Sequence, residues 1–307
     1  MAIGGVYEVD VGAVSGVHYV DVGLFGEPQR GAVYVIDAER PAVVDAGMGT
    51  NYDLVLEALR TVGIDPADLE VIALTHVHLD HAGGAGYLAR ECPDARVCVH
   101  PIGAPHVVDP ERLVEGTKAA VGAQWEHYAE PVPVPEGRIT EVEDGDVIDL
   151  GDRALDVHHA PGHAPHQVVF HDATAGIVYT ADAAGIYVPE IDAVEPTTPP
   201  PNFDLDGCLA DVETIRALAP DVLCYYHYGP AEAAGRLDEY ERTLVEWVEA
   251  IERKRAELGD AEAVIDHFVA ESDLASAWGA AAVRPEITMN VRGVLRYLDR
   301  RDGSTDA

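Results

Sequence analysis

Ten residues constrain this chain more than any other stretch: Thr75-His76-Val77-His78-Leu79-Asp80-His81-Ala82-Gly83-Gly84. They follow the apolar run VIALT (71–75), which reads as a short buried strand. Three histidines and an aspartate within six positions are too polar for a core, and a solvated surface needs no such order. On an extended strand end, alternation points His76 and His78 to the same side. The turn that follows then brings Asp80 and His81 round to a second point nearby. Imidazole and carboxylate are ligands that suit zinc, manganese or iron, so the motif reads as part of a metal site.

Two neighbouring metals need more ligands than one loop supplies. Three more ligand-type residues stand downstream where strands run into loops: His163 in HHAPGHAPH after ALDVHH, Asp182 at the end of GIVYTAD, and His227 at the end of DVLCYYH. Loops at strand ends are where the active sites of layered α/β folds collect. The order HxHxDHAGG, then PGH, then Asp and His each after a strand, resembles the metallo-β-lactamase superfamily over roughly residues 6–230. That resemblance implies an α/β fold, a four-layer αβ/βα sandwich with two β-sheets packed face to face and helices outside. It implies two divalent ions, zinc first with iron or manganese as alternatives. His76, His78 and His163 would hold one ion, Asp80, His81 and His227 the other, with Asp182 bridging. Asp45, in VVDAG, matches an aspartate that supports the metal loop without binding metal.

The remaining chain reads as strands and hairpins over the first 45 residues, a helix over 51–62, and strands at 71–75 and 95–100. Further strands are predicted at 147–150, 153–159, 167–171, 176–181 and 221–226, with helices near 82–91, over 110–130 and over 205–218. The prolines of EPTTPPPNF (195–203) exclude regular structure there. From 231 the texture becomes helical, one long helix to 258 and two or three shorter ones to 300. The expected organisation is a catalytic domain over 1–230 and a C-terminal helical appendage over 231–307. Trp247, Trp278, Val291, Leu295 and Leu298 give that appendage more apolar surface than a solvated helix needs, suited to docking on the core or to a homodimer.

Several residues carry two readings. His166 either hydrogen-bonds a ligand or begins a strand. Tyr187 and Tyr228, near Asp182 and beside His227, either reach a substrate carbonyl or pack as aromatics. His106 and Arg112 read as solvated surface or as substrate-facing, and His158 and His159 as strand residues. Arg253-Lys254-Arg255 is either a seat for an anionic carrier or an ordinary helix surface with Glu252 and Glu257.

Charge and composition narrow the function. The chain has 55 Asp+Glu against 20 Lys+Arg, a net −35, with acids spread along its length and only two lysines, Lys118 and Lys254. Such self-repulsion needs screening, and molar salt shortens the Debye length to roughly 3 Å, so the composition resembles that of halophile proteins. It disfavours binding to a phosphate backbone, so no nucleic-acid partner is expected. Cys92, Cys98, Cys208 and Cys224 fit neither CxxC pairs nor a disulfide framework and read as small buried hydrophobes. No apolar run approaches 18 residues, and MAIGGVYEVD lacks the features of a signal peptide, so a cytoplasmic protein with no membrane partner is expected.

No G-x-S-x-G elbow is present, and a dinuclear centre needs none, since its bound water ionises near neutral pH. The expected activity is hydrolysis of a small-molecule thioester, ester or lactone, resembling the glyoxalase II and lactonase branches, with Asp80 as ligand and proton-steering catalytic residue. The alternatives within the resemblance are a persulfide dioxygenase with one iron on His76, His163 and Asp182, and a metal-dependent nuclease.

Overall fold

Alternating apolar residues put the first half of the chain into one sheet, in the computed structural model, which describes residues 1–303. Strands β1 (Val6–Glu8), β2 (Val17–Asp21), β3 (Ala32–Ile36) and β4 (Ala42–Val44) form an antiparallel meander. Strands β5 (Val71–Ala73), β6 (Arg96–Val99) and β7 (Ile139–Glu141) continue the sheet in parallel. Parallel neighbours require crossovers. These are α1 (Tyr52–Thr61), then α2 (Leu79–Ala82) and α3 (Ala85–Glu91), then α4 (Ala104–Val108) and α5 (Glu111–Val121).

The second half runs through β8 (Val147–Asp149), β9 (Ala154–His159), β10 (Val168–Asp172) and β11 (Ile177–Ala181). It continues through a small ribbon, β12 (Ile186–Val188) with β13 (Ala193–Glu195), then α6 (Leu205–Ala217), β14 (Val222–Tyr225) and β15 (Gly229–Glu232). The second sheet has the spatial order β15-β14-β11-β10-β9-β8. Four helices end the described chain: α7 (Arg236–Leu258), α8 (Ala261–Glu271), α9 (Ala275–Trp278) and α10 (Ala280–Arg301).

Period-two alternation sorts side chains into three apolar layers. In β3, Tyr34 and Ile36 point between the sheets, where they meet Val157, Phe170, Tyr179 and Cys224. Val33 and Val35 point the other way, onto Val55 and Leu59 of α1. The outer face of the second sheet, with Val169, Val178 and Leu223, is covered by Val212 and Ile215 of α6. The tail adds Leu244, Val248, Val291 and Leu298 to the same cluster. The layers are therefore helix, sheet, sheet, helix, as expected, and the apolar face of the tail docks on the core. All four cysteines are free and buried.

Two details depart from the expectation. The segment from 231 does not start as helix: Gly229-Pro230-Ala231-Glu232 is the edge strand β15, where a proline lacking its N–H is tolerated. Helix α7 begins only after Gly235, which has φ +79°. The last helix, α10, is 22 residues long rather than short, and it runs on through Pro285, its sixth residue. Among the described residues no helix is long and apolar enough to cross a membrane.

Candidate metal centre

The ligand-type side chains sit in the segments that follow strands, Asp80 and His81 on the short helix α2 after β5. The carboxylate of Asp45, just past β4, accepts from the backbone N–H (2.9 Å) and hydroxyl (2.8 Å) of Thr75, just past the neighbouring β5. His81 Nδ1 donates to the other oxygen of Asp45 at 2.9 Å, which turns Nε2 towards the centre. Asp45 itself adopts φ +64°, a conformation that aspartate tolerates better than most residues. The Gly83-Gly84 pair lets this loop press on the β4 loop: a Cβ on Gly84 would lie 2.0 Å from the Ala46 carbonyl oxygen. His163 lies in the β9–β10 loop, whose Gly162 N–H is held by Asp211 of α6 at 2.8 Å. Asp182 follows β11. His227 follows β14, and its Nδ1 donates to the Arg30 carbonyl at 2.8 Å.

The side chains converge into two groups. In the first, His78 Nδ1 lies 3.0 Å from both His76 Nε2 and His163 Nε2. In the second, His227 Nε2 and His81 Nε2 lie 3.4 and 3.7 Å from Asp80 Oδ2. Asp182 stands between them: its Oδ2 is 3.1 Å from His163 Nε2 and 3.5 Å from His76 and His81 Nε2, and its Oδ1 is 3.5 Å from His227 Nε2. The first group with Asp182, and the second group, each place their donor atoms within 4.8 Å of one another, as residues sharing a metal ion would.

The electrostatics fit this use. Burial pushes His76 well below the ordinary histidine pKa, and the neighbouring imidazoles add to it; His78 is lowered to about 4 for the same reasons. Burial also lowers His163, outweighing the pull of Asp182. Burial works to raise Asp80, yet His81 and His227 hold it down at about 2. His163 and His81 likewise hold Asp182 below the usual carboxylate range against its burial. Neutral imidazoles beside ionised carboxylates are the forms that bind metal. His81 and His227, raised by these carboxylates against their own burial, would release protons on metal binding. Buried His81 Nε2 and Asp182 Oδ1 have no hydrogen-bond partner among the described residues, so both donors are left for a cation.

The centre forms the floor of a cavity of about 390 Å³. Leu24 and Phe25, Leu113 and Tyr128, Pro199 to Pro201, and Trp278 and Met289 supply an apolar wall. His166 lines it too; its ring lies 6.1 Å from that of His76, nearly parallel, and its Nδ1 faces the Val77 N–H at 3.4 Å. Burial and then His78 lower its pKa to about 2. It therefore packs beside the ligands without hydrogen-bonding one of them.

Tyr187 and Tyr228 are not brought to the cavity. The Tyr187 hydroxyl donates to Asp192 at 2.9 Å, and Tyr228 is buried among the inter-sheet aromatics beside Tyr19. The aromatic at the centre is Tyr226, whose hydroxyl donates to the Asp80 carbonyl at 2.5 Å and whose ring lies 3.9 Å from that of His81. His106 and Arg112 line the cavity, while His158 and His159 belong to β9. Arg253, Lys254 and Arg255 pair with Glu249, Glu257 and Asp299, an ordinary acidic-helix surface. Arg30 and Glu286 also line the cavity, and no sequence pattern singled them out; Trp278, expected only as part of the apolar surface of the tail, lines it as well.

This chain is similar to several known proteins. The acyl-coenzyme A thioesterase MBLAC2 of Gallus gallus is 28% identical over 185 residues, covering 55% of this chain; that of Homo sapiens is 28% identical over 188. The match spans about three fifths of those thioesterases' own length, 62 and 63%. The metallo-beta-lactamase fold-containing protein ST1585 of Sulfurisphaera tokodaii is 28% identical over 222 residues, 70% of this chain and 78% of its own. Among solved structures, ST1585 superposes with a TM-score of 0.67 at 23% identity, covering 91% of this chain and 98% of that one. The family protein TTHA1429 from Thermus thermophilus superposes with 0.66 at 20%, covering 97 and 94%. Residues 26–227 match the profile of the Metallo-beta-lactamase superfamily, from before the Asp45 loop to His227 itself, and the chain belongs to that superfamily.

Proposed function

We propose that this protein is a dinuclear zinc hydrolase of acyl thioesters. His76, His78 and His163 hold one ion, Asp80, His81 and His227 the other, and Asp182 lies between. The observation that carries this reading is the placement of Asp182, with one oxygen or the other 3.1–3.5 Å from an imidazole nitrogen of both groups. Residues 1–230 then form the catalytic unit, and the helices from 231 supply part of the pocket wall. The thioester class is supported by the MBLAC2 likeness and by an apolar cavity suited to an acyl chain.

Two bound metals supply an ionised water and a Lewis acid for the carbonyl oxygen. The protein does the rest. Asp45 and the Arg30 carbonyl fix His81 and His227 by their Nδ1 protons, so both rings offer Nε2. Asp80, kept ionised, accepts a proton at its carboxylate and steers it towards the leaving thiolate. The apolar wall excludes bulk water from the acyl half. The test is a panel of acyl thioesters, esters and lactones given to the zinc-loaded protein. Thioesters should turn over fastest, and chelation should abolish the rate. A faster lactone rate would move the protein to that class.

A further inference from the structure

Arg30 stands apart from the other cations of this chain. It follows β2, lines the cavity and is 9% exposed. Its guanidinium stacks on Trp278, with Cζ 3.8 Å from the ring centroid. Nη2 lies 3.5 Å from Glu286 Oε2, at the outer limit of a hydrogen bond, and buried Nη1 has no acceptor among the described residues. Glu27 and Glu190 act on it only at a distance, so the buried guanidinium has one weak hydrogen-bond partner, which is costly, and an incoming anion would relieve that cost. The Arg30 carbonyl binds His227, so the residue is anchored beside the metal centre, and its side chain lines the same cavity as His78, Asp80 and His227. Arg112 lines the same cavity and, although acids outnumber bases 55 to 20, pairs with no carboxylate among the described residues.

We propose that the pocket selects substrates bearing a carboxylate a few bonds from the scissile carbonyl, with the Arg30 guanidinium as the group that receives it. This deepens the hydrolase reading and rests on it. The long carrier of a coenzyme A thioester puts its phosphates too far from the carbonyl to serve. Glu286 is the counter-charge that holds Arg30 between turnovers and competes with the substrate. A strut joining the tail to the core is the rival role for Arg30, and it would treat charged and neutral substrates alike.

The experiment compares three thioesters on the full-length, zinc-loaded protein. Two share the thiol N-acetylcysteamine and carry butanoyl or succinyl; the third joins butanoyl to 3-mercaptopropionate, which moves the carboxylate to the leaving half. One of the carboxylate substrates should exceed the neutral one in kcat/KM by about tenfold, the size of one charge-assisted hydrogen bond, and which one identifies the half that carries the anion. Arg30→Gln should collapse that ratio, and Arg30→Lys should keep part of it. Glu286→Gln should raise the ratio several-fold by lowering KM for the anion, which a strut does not do. Calorimetry of the succinyl thioether analogue on the metal-free protein gives a readout independent of turnover. Hydrolysis without carboxylate preference, or a Glu286→Gln ratio unchanged or lower, overturns the Arg30 role and leaves the hydrolase reading intact. Arg30-dependent analogue binding without hydrolysis of any thioester upholds the Arg30 role and removes the hydrolase reading.

Discussion

The floor of the cavity and its outer wall are held by different means. On the floor, each ligand-type side chain sits just after a buried strand or on the short α2 that follows one, and several are fixed again through the far ring nitrogen or a neighbouring backbone group. Much of the outer wall is helix and loop. Helix α5 buries none of its residues, and the proline-rich segment from 196 to 202 has no ladder of its own. That segment is clamped by the tail instead. Asn290 accepts from the Thr198 N–H, Trp247 Nε1 donates to the Thr198 hydroxyl at 3.2 Å, and Arg300 donates to the carbonyls of Pro201 and Phe203 at 2.6 Å. The contrast teaches that the sandwich fixes the chemistry while the tail shapes what reaches it.

The sharpest way to break this division is on the floor. Asp182→Ala should deplete both metals and reduce hydrolysis by orders of magnitude, with the far-ultraviolet spectrum unchanged; loss of one metal alone would deny the shared position of Asp182. Asp45→Ala acts one step out. It frees the His81 ring and should weaken the second metal or the rate by about 10–100-fold, read by metal titration, while the first metal stays bound.

Asp211, on α6, supports the floor from outside the cavity, because it accepts from the Gly162 N–H of the His163 loop. Burial raises its carboxyl to about 7, against the Gly162 N–H that favours the charged form. Between about pH 4 and 7 the folded protein keeps a proton that the unfolded chain has lost, so this group's contribution falls as pH rises and is constant above 7. Asp211→Asn should remove that slope, gaining as much as about 4 kcal/mol at pH 7 relative to pH 4. Denaturation of both proteins across this range checks the difference. The smallest effect belongs to the wall. Asn290→Ala leaves the buried Thr198 N–H unsatisfied and should cost about 1–3 kcal/mol of stability and raise KM several-fold, with metal content unchanged.

The same contrast explains what could be read from the sequence. The floor was legible because its donors are chemically distinctive and the densest part is one contiguous decapeptide. The strands behind it alternate with period two, while the four-layer sandwich followed from the resemblance to the superfamily. The wall was not legible. Arg30 and Glu286 meet across 256 positions, and neither belongs to a local pattern. Periodicity revealed that the tail has an apolar face but not that Val291 and Leu298 would cover the second sheet. The two tyrosines beside His227 show the same limit. Both flank His227, and only packing decides that Tyr226 faces His81 while Tyr228 turns between the sheets.

The central claim is that two metals share one carboxylate. Elemental analysis of the intact protein, made alongside thioester hydrolysis, tests it most directly. About two equivalents of zinc per chain are expected, with activity lost on chelation and restored when both equivalents return. A single tightly held iron, with oxygen consumed and no thioester cleaved, would contradict it, and so would a protein that binds no metal at all.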